Sequence, residues 1–189
     1  VSDARRARWS HRQRMALAYR KVFADMAERI IKREEADIMR AAGKMLPKKD
    51  TGGFVRWLNE FYDNHPEYVH KVAAPVINSY AETIAPLAAD EIGTAEPDIV
   101  TEFIKRYIEV FISKHIYSSR GQLLNIIEEH PDSDLLNLLQ ERFDQWRDKR
   151  SDRIADVQAI RLNNAVAKEV WRRAGVSQVR WVTGDTLPF

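Results

Sequence analysis

The first 45 residues carry apolar side chains at alternating steps of three and four positions, which is the period of one face of an α-helix. The pattern predicts a helix over about 10–45, with Ser10 as its N-cap and with Gly43 and Pro47 near its end. Arg12 takes the one step of this face at which an apolar residue is missing. The apolar members are Trp9, Ala16, Tyr19, Phe23, Met26 and Ile30.

The same period continues beyond a loop predicted at Gly52 and Gly53. A short helix follows the loop, and Pro66 suits the first turn of the next one. Pro75 and Pro86 lie inside the pattern of that next helix. Because proline lacks an N–H and its ring clashes with the preceding turn, we expect a kink or a break near each.

The clearest apolar stripe runs over residues 100–112 and is expected to extend to Ile127, before Pro131 ends it. Ser133 can cap a further helix that runs through Trp146. The chain is therefore predicted to be mainly all-α, a bundle-like assembly of five or six helices.

The last residues show a different pattern. A charged helix stops at Gly175, and the run "QVRWVTG" that follows is typical of a β-strand. It predicts one short strand or hairpin near residues 178–183. A lone strand would leave half of its backbone groups unpaired, so it needs a partner from elsewhere.

Composition narrows the class of protein. Of the 189 residues 44% are hydrophobic and 31% are charged, which is typical of a folded, charge-rich helical protein. No window approaches the roughly 18 apolar residues that span a membrane, so no membrane partner is expected. No secretory leader is expected either, because no apolar run follows the basic first residues.

Charge is distributed unevenly along the chain. Residues 1–49 hold 14 Lys/Arg against 6 Asp/Glu, residues 50–141 hold 6 against 16, and residues 142–189 hold 10 against 6. Two basic ends therefore flank an acidic middle. Either the ends fold back on the middle and expose solvated helix faces, or one basic end meets nucleic acid or an acidic partner.

The basic start, "ARRARWSHRQR", is the sharpest of these charge features. A run of this kind can neutralise phosphates without reading a base sequence, and it can also be the frayed start of a helix. Arg12 is the exception, because it shares the apolar face and is expected to lie along Trp9 and Ala16. The candidate nucleic-acid or partner contacts are Arg5, Arg6, Arg8, Arg12 and Arg14.

The common catalytic motifs are missing. The sequence has no HExxH, no GxSxG and no glycine-rich phosphate loop, and it has no Cys. We therefore predict no catalytic residue, no metal site and no cofactor, and the protein is not expected to be an enzyme. The histidines are interpreted as surface or helix-end residues, and they are His11, His65, His70, His115 and His130.

The segment "DRIADVQAIRLNNAVAKEVWRRAGVSQVRW", residues 152–181, resembles the Mu-type phage head morphogenesis family of minor head proteins. That family has a helix of the form I-A-x-T-E-x-x-R-x-x-N, a Gly-Val helix stop and a strand with Trp. The matching residues here are Ile154, Ala155, Gln158, Arg161, Asn164, Ala174, Gly175, Val176 and Trp181. Gln158 departs from the family's Glu; if that Glu forms an ion pair with the family's Arg, this chain can offer Arg161 only a neutral hydrogen bond.

The resemblance implies a helical domain over residues 1–145 and the first part of a head-morphogenesis-like domain over residues 146–189. It also implies a Cys-bearing segment beyond Phe189, which Arg161 and Asn164 would hold by hydrogen bonds. Trp171 and Trp181 are expected to pack across the turn at Gly175.

The function that the resemblance implies is structural. The chain would act in virion head assembly, through contacts with the portal and other capsid proteins, in the virion or in the host cytoplasm, with self-association possible. The alternative is a helical protein that binds DNA with its Arg-rich start. An enzyme domain fused downstream is a third possibility.

Overall fold

The computed structural model describes residues 3–95, 101–131 and 134–178. These ranges contain no strand, so the mainly all-α prediction is confirmed, while the predicted strand falls, apart from Gln178, outside them. A 3₁₀ turn, Leu46–Lys48, follows the first helix, and a π-helical turn, Trp146–Arg150, joins the fifth to the sixth. The six helices are α1 (Asp3–Met45), α2 (Thr51–Asn64), α3 (Pro66–Ile92), α4 (Thr101–Glu129), α5 (Leu135–Gln145) and α6 (Ser151–Arg173).

The helix ends follow capping chemistry, although not always at the predicted residue. The Asp50 side chain accepts from the Gly53 N–H (2.9 Å) and so caps α2. Asp134 caps α5, one residue after the predicted Ser133. The prediction that Ser10 caps the first helix is wrong, because α1 already begins at Asp3.

Helix α3 runs without a break through both of its internal prolines. The predicted break is therefore wrong. Pro75 and Pro86 are both exposed, and they lie opposite the face of α3 that packs into the core. Each proline ring, and the backbone position at which the N–H is missing, therefore lies on the solvent side of the helix. Packing of the other face holds the helix together.

The buried side chains form two clusters, and α1 runs through both. The first cluster joins the N-terminal half of α1 to α3, α6 and the first half of α4, around Phe23 and Tyr80, whose ring centres are 5.4 Å apart. The second joins the C-terminal part of α1 to α2, α5 and the end of α4, around Phe54 and Phe143. Burial of large apolar side chains in both clusters is the main stabilising term of the fold.

Helix α6 belongs to the first of these clusters. Its buried residues, from Ala155 to Val170, pack with those of α1 and α3. The predicted domain boundary at residue 146 falls at the start of the π-helical turn, in a continuous helical run from Leu135 to Arg173. No helix in the described ranges is long and apolar enough to cross a membrane.

Candidate functional site

The structure brings the two basic ends of the chain together. Helices α1 and α6 run antiparallel, since Arg12 contacts Asn163 while Arg20, two turns further along α1, donates to Asp156 (3.1 Å). The start of α1 and the end of α6 therefore lie at the same end of the bundle. This end carries most of the residues that the sequence marks as candidates.

Arg12 is built into the interior of this end. It is 3% exposed, and its Nε donates to Glu91 Oε1 at 2.8 Å. Its Nη1 donates to Asn163 Oδ1, and its guanidinium lies 5.3 Å from the centre of the Trp171 ring. The position on the buried face of α1 agrees with the apolar pattern, but the charge is already neutralised inside the protein and is not available to a phosphate.

Of the other four arginines of the basic start, Arg14 is the one whose side chain the structure describes. Arg14 is exposed. The backbone of Arg5, Arg6 and Arg8 is part of α1, and their side chains lie outside the described part of the structure. The prediction of a phosphate-binding run therefore rests on four residues rather than five.

Asn163 is the central residue that the sequence interpretation missed. It is 1% exposed, and its Nδ2 donates to the backbone oxygen of Arg12 (3.1 Å) and to the hydroxyl of Tyr80 (3.2 Å). The Tyr80 hydroxyl in turn donates to the Ala159 backbone oxygen (2.9 Å), and burial raises the pKa of Tyr80 to about 12. The network ties α6 to α1 and α3 with every polar group of Asn163 paired.

Gln158, at the family's Glu position, ties α6 to a third helix. Its Oε1 accepts from the hydroxyl of Tyr107 on α4 at 2.7 Å. Burial raises the pKa of Tyr107 to about 12, so the phenol stays a neutral donor at ordinary pH. A neutral amide fits this half-buried position, and its partner is Tyr107 rather than Arg161.

Arg161 and Asn164 lie on the outer face of α6, and both are exposed. Neither makes a hydrogen bond or ion pair among the described residues. Ile160 lies beside them and is 57% exposed. Their predicted contact with a downstream segment stays a prediction.

The end of α6 has the predicted stop. Gly175 adopts φ +81°, a left-handed conformation that glycine reaches without strain, and the Gly175 N–H donates to the Arg172 backbone oxygen (3.1 Å). Trp171 donates through its Nε1 to the Ala88 backbone oxygen at 3.0 Å. Trp181 lies outside the described residues, so its packing against Trp171 stays a prediction.

Three acidic side chains on this side of the bundle are already paired with arginines. Glu91 pairs with Arg12, and Asp156 with Arg20. Glu169 accepts from Arg172 and Arg173, and the hydrogen bond from Arg172 is the first cause that lowers the pKa of Glu169 to about 2. On α6 and the first part of α1, Arg14, Arg153, Arg161 and Lys168 are exposed and form no ion pair with another described residue.

Two histidines are buried: His115 departs from its predicted surface or helix-end position, while His65 has the predicted helix-end position. His115 is 5% exposed and lies in the middle of α4, and His65, although it lies between α2 and α3, is 4% exposed. Both ring Nε2 atoms face the carboxylate of Glu34. No group of three or more His, Cys, Asp or Glu among the described residues could hold a metal ion.

Comparison of the chain with models of known protein families, with curated proteins and with solved structures gives no match. The functional argument therefore depends on the residues themselves and on the resemblance of residues 152–181.

Proposed function

We propose that this chain is a structural protein of a phage or prophage that acts in virion head assembly through contacts with the portal or the capsid interior. The observation that carries the proposal is the arrangement of α6. Its buried side is locked to three helices through Asn163 and Gln158, while Arg161 and Asn164 face outward. A rigid helix with an outward polar pair is suited to hold another protein segment.

The surface beside this pair has the character of a protein interface. Leu17 lies one turn before Arg20 on α1, and Ile160 lies one turn after Asp156 on α6. Because α1 and α6 are antiparallel, Leu17 and Ile160 both lie on the same side of the Arg20–Asp156 pair, in the direction of the start of α1. Leu17 is 72% exposed and Ile160 is 57% exposed. Exposed apolar residues bordered by an Arg–Asp pair resemble the centre and rim of a docking surface.

The proposal is tested with the portal protein encoded by the same phage or prophage. The two chains are co-expressed, and the affinity of the purified pair is measured by titration calorimetry. Replacing Ile160 with Asp and Arg161 with Ala together is expected to weaken binding by at least about tenfold, since the few dominant residues near the centre of an interface each contribute about 2 kcal/mol or more.

A matched control is Tyr117→Ser, which removes an 83% exposed aromatic from α4, beside a groove between α2 and α4. It should leave portal affinity unchanged. An affinity that is equal in all three proteins, or no complex with portal and coat proteins at all, would count against head assembly through this face.

DNA binding is a second candidate, and the convergence of the two basic ends favours it. Arg14 on α1 and Lys168 on α6 are exposed at the same end of the bundle, where Glu91 and Glu169 are paired with other arginines. A positive surface of this kind attracts polyanions regardless of base sequence. The same surface can meet packaged DNA inside a head, so the two functions are compatible.

A further inference from the structure

A group of four polar side chains, three of them buried and one (Arg150) half-buried, lies where the two hydrophobic clusters meet. It draws one residue from each of four places: Glu34 from α1, His65 from the corner between α2 and α3, His115 from α4, and Arg150 from the end of the π-helical turn. We call these four residues the polar joint. Glu34 is fully buried, and each histidine side chain is 3% exposed.

Both imidazoles face the same carboxylate oxygen of Glu34. Glu34 Oε1 lies 3.0 Å from His115 Nε2, within hydrogen-bond distance, and 3.7 Å from His65 Nε2, which is too long for a hydrogen bond. Arg150 donates to Ser119 (2.9 Å), and its guanidinium lies 4.1 Å from the centre of the Trp146 ring. The joint thus holds one carboxylate, one guanidinium and two imidazoles.

The polar joint is not saturated with hydrogen bonds. Three of its buried atoms have no hydrogen-bond partner among the described residues: Glu34 Oε2, His65 Nε2 and Arg150 Nη1. Leaving a buried polar atom without a partner is unfavourable, so this group is sensitive to a change of charge.

The surroundings of His65 hold its ring in place. The imidazole stacks on Phe61, with ring centres 4.7 Å apart, and on Tyr68, with ring centres 5.5 Å apart. This sandwich leaves Nε2 directed towards Glu34. The charged or titratable groups that face His65 are Glu34, Arg33 and Asp37 on α1, Tyr62 on α2, Tyr68 on α3, His115 on α4, and Arg150 across Glu34.

Burial lowers the pKa of His65, and the charges of His115 and Arg33 act in the same direction, while Glu34 and Asp37 oppose them. Burial also raises the pKa of Glu34, but the charge of His115 and its hydrogen bond, with Arg150, bring that pKa below its usual range. Tyr62 stays neutral, because burial raises its pKa. The folded joint therefore favours an ionised Glu34 and a neutral His65.

We propose that the polar joint is an acid-sensitive latch, in which protonation of His65 loosens the corner between α2 and α3 from α1 and α4. A proton on His65 adds a positive charge near Arg150, while the single carboxylate of Glu34 already accepts a hydrogen bond from His115. The proposal assigns the opening to this corner, because His65 is both the C-cap of α2 and the N-cap of α3.

The direction of the pH effect follows from linkage. An opened corner binds a proton at His65 near pH 6.5, whereas the closed one binds it only at lower pH, so closure is lost as pH falls below 6.5. Between 6.5 and the pKa of the closed state, the opening constant rises by up to about tenfold per pH unit. Glu34 adds to the loss only below its ordinary value of 4.5.

The test combines two measurements on the full chain. The ring protons of each histidine are titrated by NMR, and urea unfolding is followed at pH 7.5, 6.5 and 5.5 for the wild type, His65→Gln and the matched control His70→Gln, an exposed histidine on α3. We expect His65 to titrate below 6.5. We also expect His65→Gln to remove most of the loss of stability between pH 6.5 and 5.5, with His70→Gln behaving as wild type.

Two results would overturn the latch: His65 titrating at or above 6.5, or His65→Gln losing as much stability with acid as the wild type. If His65→Gln does not fold, hydrogen exchange of the wild type decides. After correction for the intrinsic effect of pH on exchange, protection should fall first over residues 58–69. A uniform loss of protection would contradict the proposal.

Discussion

Replacing Arg12 with Ala is expected to lower the free energy of unfolding by about 3–5 kcal/mol, the usual cost of removing one member of a buried ion pair. The substitution leaves Glu91 without its cation and Asn163 Oδ1 without its donor. It also removes the guanidinium that lies against Trp171. Urea unfolding at pH 7.5 measures the difference.

Arg14→Ala is the matched control, because Arg14 is an exposed arginine half a turn away on the same helix. Its effect should stay within about 0.5 kcal/mol. Equal effects of the two substitutions would show that the contacts between Arg12, Glu91 and Asn163 contribute little to stability, and would remove the physical basis for anchoring α6 at this end.

DNA affinity, if the basic start binds duplex DNA, is expected to fall steeply with salt. Arg5, Arg6, Arg8 and Arg14 give up to four phosphate contacts, since Arg12 is occupied by Glu91. At a slope of roughly 0.9 per contact, a fourfold rise in salt should weaken binding by about 150-fold. A gel-shift titration at two salt concentrations measures this ratio.

Replacing these four arginines with Gln should remove most of the salt dependence and leave the fold intact. The control is Lys114→Gln, which removes one exposed cation from α4, outside the basic start. It should reduce the slope by no more than about one contact. If no complex appears at tens of micromolar protein in low salt, the DNA-binding alternative is wrong and the basic start serves another contact.

The helical architecture could be predicted from the sequence because the spacing of apolar residues is enough to indicate helices. A stripe such as the one over residues 100–112 is apolar at every third or fourth position, and α4 follows it to Glu129. The ends were harder to predict. A helix start depends on a cap that several neighbouring polar residues can supply, as Asp134 shows in place of Ser133.

The prolines of α3 show a different limit. The missing N–H and the ring clash of proline predict a helix break. Pro75 and Pro86 nevertheless lie on the solvent side of a continuous helix whose other face is buried. Tertiary packing outweighs the local cost, and no local pattern carries that information.

The site was predictable only in outline. The gap in the apolar face at Arg12 indicated a residue on the buried side, but its partners are 79 and 151 positions away in the chain. Asn163 lies next to the motif residue Asn164, and only the burial pattern of α6 distinguishes them. His115 was misplaced although it continues the buried face of α4 after Phe111 and Ile112, because a histidine is not counted in an apolar pattern.

The proposal of head assembly is tested most directly by the composition of purified particles. DNA-filled heads of the phage or induced prophage that encodes this chain are isolated on a density gradient and analysed by quantitative mass spectrometry. The account predicts peptides from α1 to α6 in these particles, at a constant ratio to the portal protein. Particles that contain portal and coat proteins but none of this chain, before and after DNA packaging, would contradict it.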